Sequence, residues 1–76
     1  MTNETRTEIA ENLTEKINSE ISYASGRFTA RTWSKGDHVR IYWCNGYAIV
    51  NADGSIDTTP LKRAQKIDMD EMLGVA

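Results

Sequence analysis

The chain has 76 residues, of which 26% are charged and 39% hydrophobic, and its net charge is −2. A chain of this length buries only about 60% of its unfolded surface, so we expect a single domain over residues 1–76 with one hydrophobic core. It contains no apolar run long enough to span a bilayer and begins without a signal-peptide pattern. These features predict a cytoplasmic protein, located in the host cytoplasm if a phage encodes it.

The charged residues are segregated along the chain. Residues 1–21 carry five glutamates against one arginine and one lysine, a net charge of −3. Residues 22–66 carry seven basic residues against three acidic ones, a net charge of +4, and residues 67–76 carry three acidic residues alone. This bipolar distribution points to charged partners.

The first segment is predicted to form a helix. Its apolar residues recur every four positions, at Ile9, Leu13, Ile17 and Ile21. Asn3 or Thr5 is a candidate N-cap, and Thr5-Arg-Thr-Glu8 has the form of a capping box. We expect the helix to end before Gly26.

The middle of the chain changes to the pattern of a sheet. The turn dipeptides Lys35-Gly36, Asn45-Gly46 and Asp53-Gly54 separate runs rich in β-branched and aromatic residues. They predict an antiparallel meander with strands at residues 27–33, 38–44, 47–52 and 55–58. The third turn fits poorly, because equal counting from it would place Asp57 opposite Val50 on the core face. Either that loop is longer or the fourth strand is only a stub.

Counting outward from the first two turns gives a register. Trp33 is then opposite His38, Arg31 opposite Arg40, and Cys44 opposite Tyr47. Alternation of side chains defines a core face, which the apolar stripe of the first helix is expected to cover. The predicted core face consists of Phe28, Ala30, Thr32, Val39, Ile41, Trp43, Ala48, Val50 and Ala52.

The C-terminal segment is predicted to be helical but irregular. Thr59-Pro60 has the form of an N-cap followed by proline at the first helical position, and Gly74 is expected to end the helix. Asp68-Met-Asp-Glu71 resembles a second helix start, so we expect one helix broken near Ile67 or two separate turns. The predicted fold class is α+β: an N-terminal helix on a three- or four-stranded antiparallel meander, followed by a short C-terminal helix.

The outer face of the sheet is the first candidate functional surface. It is predicted to gather Arg27, Arg31, Trp33, His38, Arg40, Tyr42 and Tyr47. Basic and aromatic side chains on one face suit the binding of nucleic acid or of a carboxylate-rich protein. Arg31 opposite Arg40 would be destabilising by ~0.2–1 kcal/mol unless an anion lay between them. The alternative is that the C-terminal helix folds over this face and the arginine stems cover it.

The second candidate surface is a row of glutamates on the first helix, which we call the acidic ridge: Glu4, Glu8, Glu11 and Glu15. At about 100° per residue they fall within about 60° of one another, opposite the apolar stripe. The helix dipole favours acidic residues only in the first turn, and no lysine follows any of these residues four positions later. Such a row can imitate a nucleic-acid backbone and bind the basic groove of a protein that handles DNA or RNA. The alternative is a solvated face that aids solubility.

No catalytic, metal-binding or cofactor motif is present in the sequence. Cys44 and His38 are the single cysteine and the single histidine. A nucleophile and base pair needs an orienting third group and an oxyanion site, and the sequence indicates neither. We therefore expect a protein that is not an enzyme and that uses no cofactor.

In size, acidic balance and absence of motifs, the chain resembles the small proteins that phages and mobile elements use against host machinery, anti-CRISPR proteins among them. No particular residue carries this likeness, so it implies no site. It favours a non-enzymatic inhibitor or adaptor that binds a nucleic-acid-handling complex through the acidic ridge, the sheet face or both.

Two other functions remain open. One is a nucleic-acid-binding module on the sheet face, since the α-β-β-β-α order is similar to that of double-stranded-RNA-binding domains. Those domains rely on a lysine cluster at the start of the last helix, whereas here Lys62, Arg63 and Lys66 are followed by three acidic residues. The other is a structural protein in which the acidic helix of one copy docks on the basic sheet of the next.

Overall fold

A computed structural model describes residues 1–74 and shows the predicted α+β fold. Its elements are α1 (Asn3–Glu20), a 3-10 helix (Gly26–Phe28), β1 (Arg31–Lys35), β2 (His38–Trp43), β3 (Gly46–Val50), β4 (Ile56–Asp57) and α2 (Arg63–Leu73). The strands form one antiparallel sheet in the order β1-β2-β3-β4. No helix within residues 1–74 has the length and apolar content needed to cross a membrane.

Helix α1 is capped one residue before the first predicted candidate, Asn3, and three residues before the second, Thr5. Thr2 is the N-cap, and its hydroxyl accepts a hydrogen bond from the Thr5 backbone N–H at 3.1 Å. The predicted caps at Asn3 and Thr5 are therefore wrong, because both residues lie inside the helix. For the same reason, the capping box between Thr5 and Glu8 does not form. The helix does end before Gly26, as predicted.

The core lies between one face of the sheet and the two helices. Its buried residues are Ala10, Ile17, Ala24, Ala30, Val39, Ile41, Trp43, Ala48, Val50, Leu61 and Met69. Thr32 is half-buried on the same face, where its hydroxyl lies 2.8 Å from that of Thr14. Phe28 and Ala52, which were predicted in the core, are exposed because they lie in the 3-10 helix and in the loop after β3.

Both of the first two hairpins are shifted by two residues from the predicted register. Lys35 pairs with His38 and Trp43 pairs with Gly46, so the two-residue loops are residues 36–37 and 44–45. The first residue of each loop has a positive φ, 58° at Gly36 and 56° at Cys44. Because the shift is an even number of residues, the strand residues keep their predicted faces.

Gly46 begins β3, and the chain before α2 crosses directly over it. A Cβ atom on Gly46 would lie 2.8 Å from the Lys62 nitrogen and 2.9 Å from the Leu61 Cα. Residues 60–62 therefore pass over β3 as non-helical backbone. Helix α2 begins at Arg63, whereas the predicted start was Pro60. The absence of a side chain at position 46 makes this crossing possible.

Helix α2 is continuous, so the predicted break near Ile67 is wrong. Ile67 is 55% exposed, whereas Met69 is fully buried, which explains why the apolar residues follow no single stripe. Gly74 ends the helix in the left-handed conformation, as predicted. Strand β4 is a two-residue stub after a longer loop, and Asp57 is paired with Ile49 rather than Val50.

Among residues 1–74, Arg6 is the one buried charged residue, with 7% of its surface exposed. Its guanidinium donates to the Val50 carbonyl from Nη2 at 2.6 Å and Nε at 3.2 Å. It also donates to the Asp37 carbonyl at 2.9 Å and to Asn3 Oδ1 at 3.0 Å. Arg6 thus fixes α1 to the end of β3 and to the β1–β2 turn.

Hydrogen bonds from Thr58 and Tyr23 attach α2 to the rest of the fold. The Thr58 hydroxyl donates to Asp70 at 2.7 Å, and within the helix Lys66 forms an ion pair with Asp70 at 2.6 Å. The bond from Lys66 and, to a smaller extent, the bond from Thr58 lower the pKa of the Asp70 carboxyl. The Tyr23 hydroxyl donates to Asp68 at 2.5 Å. Burial, followed by this bond, raises the pKa of Tyr23 to about 12.

Candidate functional site

The outer face of the sheet carries most of the predicted basic and aromatic residues. Alternation along the first three strands places there Arg31, Trp33, Lys35, His38, Arg40, Tyr42, Tyr47 and Ile49. Lys35 was missed by the sequence prediction, which assigned it to the turn. A turn that begins at Gly36, the residue best suited to a positive φ, would have placed Lys35 at the end of β1 and on this face.

Five of these residues pack into what we call the basic-aromatic cluster: Arg31, Trp33, Arg40, Tyr42 and Tyr47. The Trp33 and Tyr42 rings meet edge to face at 5.9 Å, and the Tyr42 and Tyr47 rings are 5.5 Å apart. Arg31 borders a shallow hollow that Trp33 and Tyr42 also line. The cluster spans three strands, so the sheet itself holds it in shape.

Arg40 lies at the centre of the basic-aromatic cluster. Its guanidinium carbon is 4.8 Å from the centre of the Tyr47 ring and 5.4 Å from that of Trp33. One guanidinium nitrogen donates to the Tyr42 hydroxyl at 3.1 Å, and this bond raises the pKa of Arg40. Such contacts between a cation and aromatic faces contribute about 0.5–1 kcal/mol each at exposed sites.

The shifted register corrects the predicted pairing of the two arginines. Arg31 is opposite Tyr42, and Arg40 is opposite Trp33. Arg40 therefore meets aromatic rings rather than a like charge, and the register gives no reason for an anion between two arginines. His38 is exposed at the start of β2, opposite Lys35 and outside the cluster.

Arg27 does not lie on the sheet as predicted. It belongs to the 3-10 helix, where its guanidinium lies 4.9 Å from the centre of the Phe28 ring. The helix forms because Gly26 takes a positive φ and because the Phe28 carbonyl accepts a hydrogen bond from Trp43 Nε1 at 2.9 Å. Strand β1 accordingly begins at Arg31 instead of residue 27.

Both helices pack on the core face of the sheet. The chain entering α2 crosses Gly46 on that face, and α2 contributes Met69 to the core. Within residues 1–74, neither helix covers the basic-aromatic cluster, and Trp33 is 36% exposed. The alternative prediction, in which the C-terminal helix folds over this face, is therefore wrong.

The acidic ridge is exposed along its whole length, but it does not point directly away from the sheet. The buried side of α1 is centred on Arg6, Ala10 and Ile17, while Ile9 and Leu13 are only half-buried. Helix α1 is thus rotated about its axis relative to the predicted orientation, and the acidic ridge is turned toward the edge of β1. Two adjoining hollows separate the ridge from that edge, lined by glutamates on one side and by Thr32, Ser34, Lys35 and Gly36 on the other.

Cys44 and His38 do not form a nucleophile and base pair. His38 begins β2 and Cys44 follows its last residue, so six residues of extended chain, roughly 20 Å, separate them. Burial raises the pKa of the Cys44 thiol, which disfavours the reactive thiolate. Among residues 1–74, no group of three or more His, Cys, Asp or Glu side chains is placed to hold a metal ion.

Comparison with known proteins supplies no relative. No protein-family model matches the chain, and no curated protein and no solved structure is significantly similar to it. The two surfaces are therefore the features that indicate a function.

Proposed function

We propose that the protein is a small non-enzymatic inhibitor or adaptor that binds a nucleic-acid-handling protein complex. It would be of the type that phages and mobile elements encode, as anti-CRISPR proteins are. The observation that carries the proposal is the basic-aromatic cluster, which three strands hold in shape. Arg31 and Trp33 are exposed there, and the other three members are half-buried. Tryptophan, tyrosine and arginine are the residues that most often dominate the binding energy of protein interfaces.

The packing of the cluster favours a protein partner over single-stranded nucleic acid. A platform for base stacking needs aromatic faces that are open to solvent. Here the Arg40 guanidinium lies over Trp33 and Tyr47, and the rings also contact one another. The net charge of −2 and the acidic ridge further oppose the approach of phosphates.

The acidic ridge supports the choice of a partner that handles nucleic acid. Its four carboxylates are spread over about 16 Å of helix, or roughly one charge per 5.5 Å. One strand of B-DNA carries one charge per 3.4 Å, so the ridge has about 60% of that charge density. It therefore resembles a short piece of one strand, and a basic groove that binds a single strand is the surface it fits best.

The proposal is tested by affinity capture from host lysate, followed by identification of the captured proteins. The expected result is a complex that binds DNA or RNA. Capture of this complex should be lost in the double variant Glu11→Lys with Glu15→Lys, because reversed charges repel a basic groove. Glu20→Lys with Glu71→Lys makes the same charge change at exposed sites outside the ridge and should leave capture intact. A captured complex without nucleic-acid chemistry, or equal capture by both variants, would contradict the proposal.

A further inference from the structure

Strand β1 is an edge strand whose outer backbone groups are open. In a hairpin with a two-residue loop, the residues flanking the loop exchange hydrogen bonds, and every second residue does the same. Lys35, Trp33 and Arg31 therefore bond to β2, while the N–H and C=O groups of Thr32 and Ser34 point away from the sheet. Among residues 1–74, the structure gives these outward groups no hydrogen-bond partner. Such an edge is a template for another strand.

Two residues before Thr32, at Ala30, the outward backbone groups of the same edge are already bonded to a side chain. The Ala30 N–H donates to Asn18 Oδ1 at 2.9 Å, and Asn18 Nδ2 donates to the Ala30 carbonyl at 3.0 Å. The amide of Asn18 thus bonds to Ala30 as a neighbouring strand would. It marks one end of the open edge, which extends from Thr32 to the β1–β2 turn.

The acidic ridge runs alongside this open edge. Three contacts show that α1 and β1 are antiparallel neighbours: Asn3 with Gly36, Thr14 with Thr32, and Asn18 with Ala30. Alternate residues of a strand are about 6.8 Å apart, and successive ridge glutamates are about 4.5–6 Å apart along the helix. A strand added to β1 would therefore present every second side chain to the ridge.

We propose that the open edge of β1 binds an extended segment of a partner protein by β-strand addition, with lysine or arginine at alternate positions facing the acidic ridge. Backbone hydrogen bonds to Thr32 and Ser34 supply the pairing, and charge complementarity with the glutamates selects the segment. The inference deepens the proposed function and rests on it, because it names the part of the partner that the ridge contacts.

The other side chains of the added strand would face the opposite surface of the sheet. There β1 presents Arg31, Trp33 and Lys35. Apolar or acidic residues suit these neighbours, whereas further basic residues are repelled. The preferred segment thus alternates basic residues with apolar or acidic ones, a pattern that distinguishes it from a uniformly basic tail.

A second copy of this chain fits the edge poorly. If two β1 strands paired antiparallel about Trp33, Arg31 of one copy would lie opposite Lys35 of the other. The two acidic ridges would also lie on the same side of the joined sheet and face each other. Like charges directly opposite each other destabilise such pairing, so we assign the edge to a different protein.

The test uses a fluorescein-labelled peptide in which three lysines alternate with valines, titrated into the full chain and followed by fluorescence polarisation. A peptide of the same composition with its lysines consecutive is the control, and it should bind at least tenfold more weakly. Amide hydrogen exchange should show that the peptide protects Thr32 and Ser34, whose N–H groups point outward. Equal binding of the two peptides, or no protection at these residues, would overturn the inference.

Two variants separate the backbone and charge contributions. Ser34→Pro removes one outward N–H without removing a bond to β2, and should weaken peptide binding at least tenfold. If that variant fails to fold, Glu8→Gln with Glu11→Gln should produce a similar loss, while Glu20→Gln with Glu71→Gln should not. Binding unchanged in the Glu8 and Glu11 variant would overturn the inference. A peptide-free dimer by sedimentation would also overturn it, because a second copy would then occupy the edge.

Failure of this inference is distinguishable from failure of the proposed function. If the alternating peptide does not bind while lysate capture still depends on Glu11 and Glu15, the inference is overturned and the proposed function stands. If the peptide binds with the expected protection and no nucleic-acid-handling complex is captured, the edge site stands and the proposed function falls.

Discussion

Arg6 places a positive charge among neutral acceptors at the junction of α1, β3 and the β1–β2 turn. Because its partners are mostly backbone carbonyls, removing the side chain leaves the Val50 and Asp37 oxygens without their donors. We predict that Arg6→Ala lowers the free energy of unfolding by about 2–4 kcal/mol, measured by urea denaturation. Arg6→Lys should lower the free energy of unfolding less, since an ammonium group can make some of the hydrogen bonds of the guanidinium. A loss below about 1 kcal/mol in Arg6→Ala would contradict this role.

Gly46 gives a second prediction at the scale of the residue. A Cβ atom there would press on the backbone of residues 60–62, which cannot turn aside as a side chain can. Gly46→Ala should therefore lower the free energy of unfolding by about 1–3 kcal/mol, as overpacking does elsewhere. Asn45→Ala, at the neighbouring exposed position, is the control and should change it by less than about 0.5 kcal/mol. Equal stability of the two variants would mean that the crossing is not tight.

The elements show which parts of the fold the sequence could predict. The four-residue period of α1 and the turn residues of the sheet were enough for the fold class and for the faces of the strand residues. The register was wrong by two residues, because the loops place Gly36 and Cys44 at their first position rather than ending on glycine. A cysteine at positive φ has no signal in one sequence, since that conformation is uncommon for residues other than glycine.

Long-range contacts explain most of the remaining differences. Residues 60–62 cross Gly46, and Trp43 bonds to the Phe28 carbonyl, so neither the start of α2 nor the start of β1 follows from local pattern. The position of Arg27 was wrong for this reason. In the candidate site, the composition of the sheet face was predictable, but the contacts of Arg40 with Trp33 and Tyr47 depended on the register.

The attachment of α2 predicts a response to alkaline pH. The pKa of Tyr23 is raised from 10.0 to about 12, so the folded chain keeps this proton more tightly than the unfolded chain. Stability should therefore fall as the pH rises from about 10 to about 12. Tyr23→Phe has no hydroxyl to ionise, so its unfolding free energy should decline less steeply over this window. Urea denaturation at several pH values measures both slopes, and parallel slopes would contradict the prediction.

At the scale of the whole molecule, we predict that the chain does not bind free nucleic acid. The chain is acidic overall, and the rings of the basic-aromatic cluster are occupied by one another and by Arg40. A polarisation titration with single- and double-stranded RNA at about 50 mM salt should show no binding. Binding that weakens steeply with added salt would instead assign the sheet face to nucleic acid, as in the second function predicted from the sequence.

The central claim is that the basic-aromatic cluster on the outer face of the sheet binds a protein partner. It is tested most directly by comparing partner capture by Arg40→Ala with capture by Arg63→Ala, which removes the same charge from an exposed position on α2. Circular dichroism should show that both variants keep the fold. We predict that Arg40→Ala reduces capture at least tenfold, a loss of about 1.4 kcal/mol or more, while Arg63→Ala captures as the wild type does. Equal capture by folded Arg40→Ala and Arg63→Ala would contradict the account.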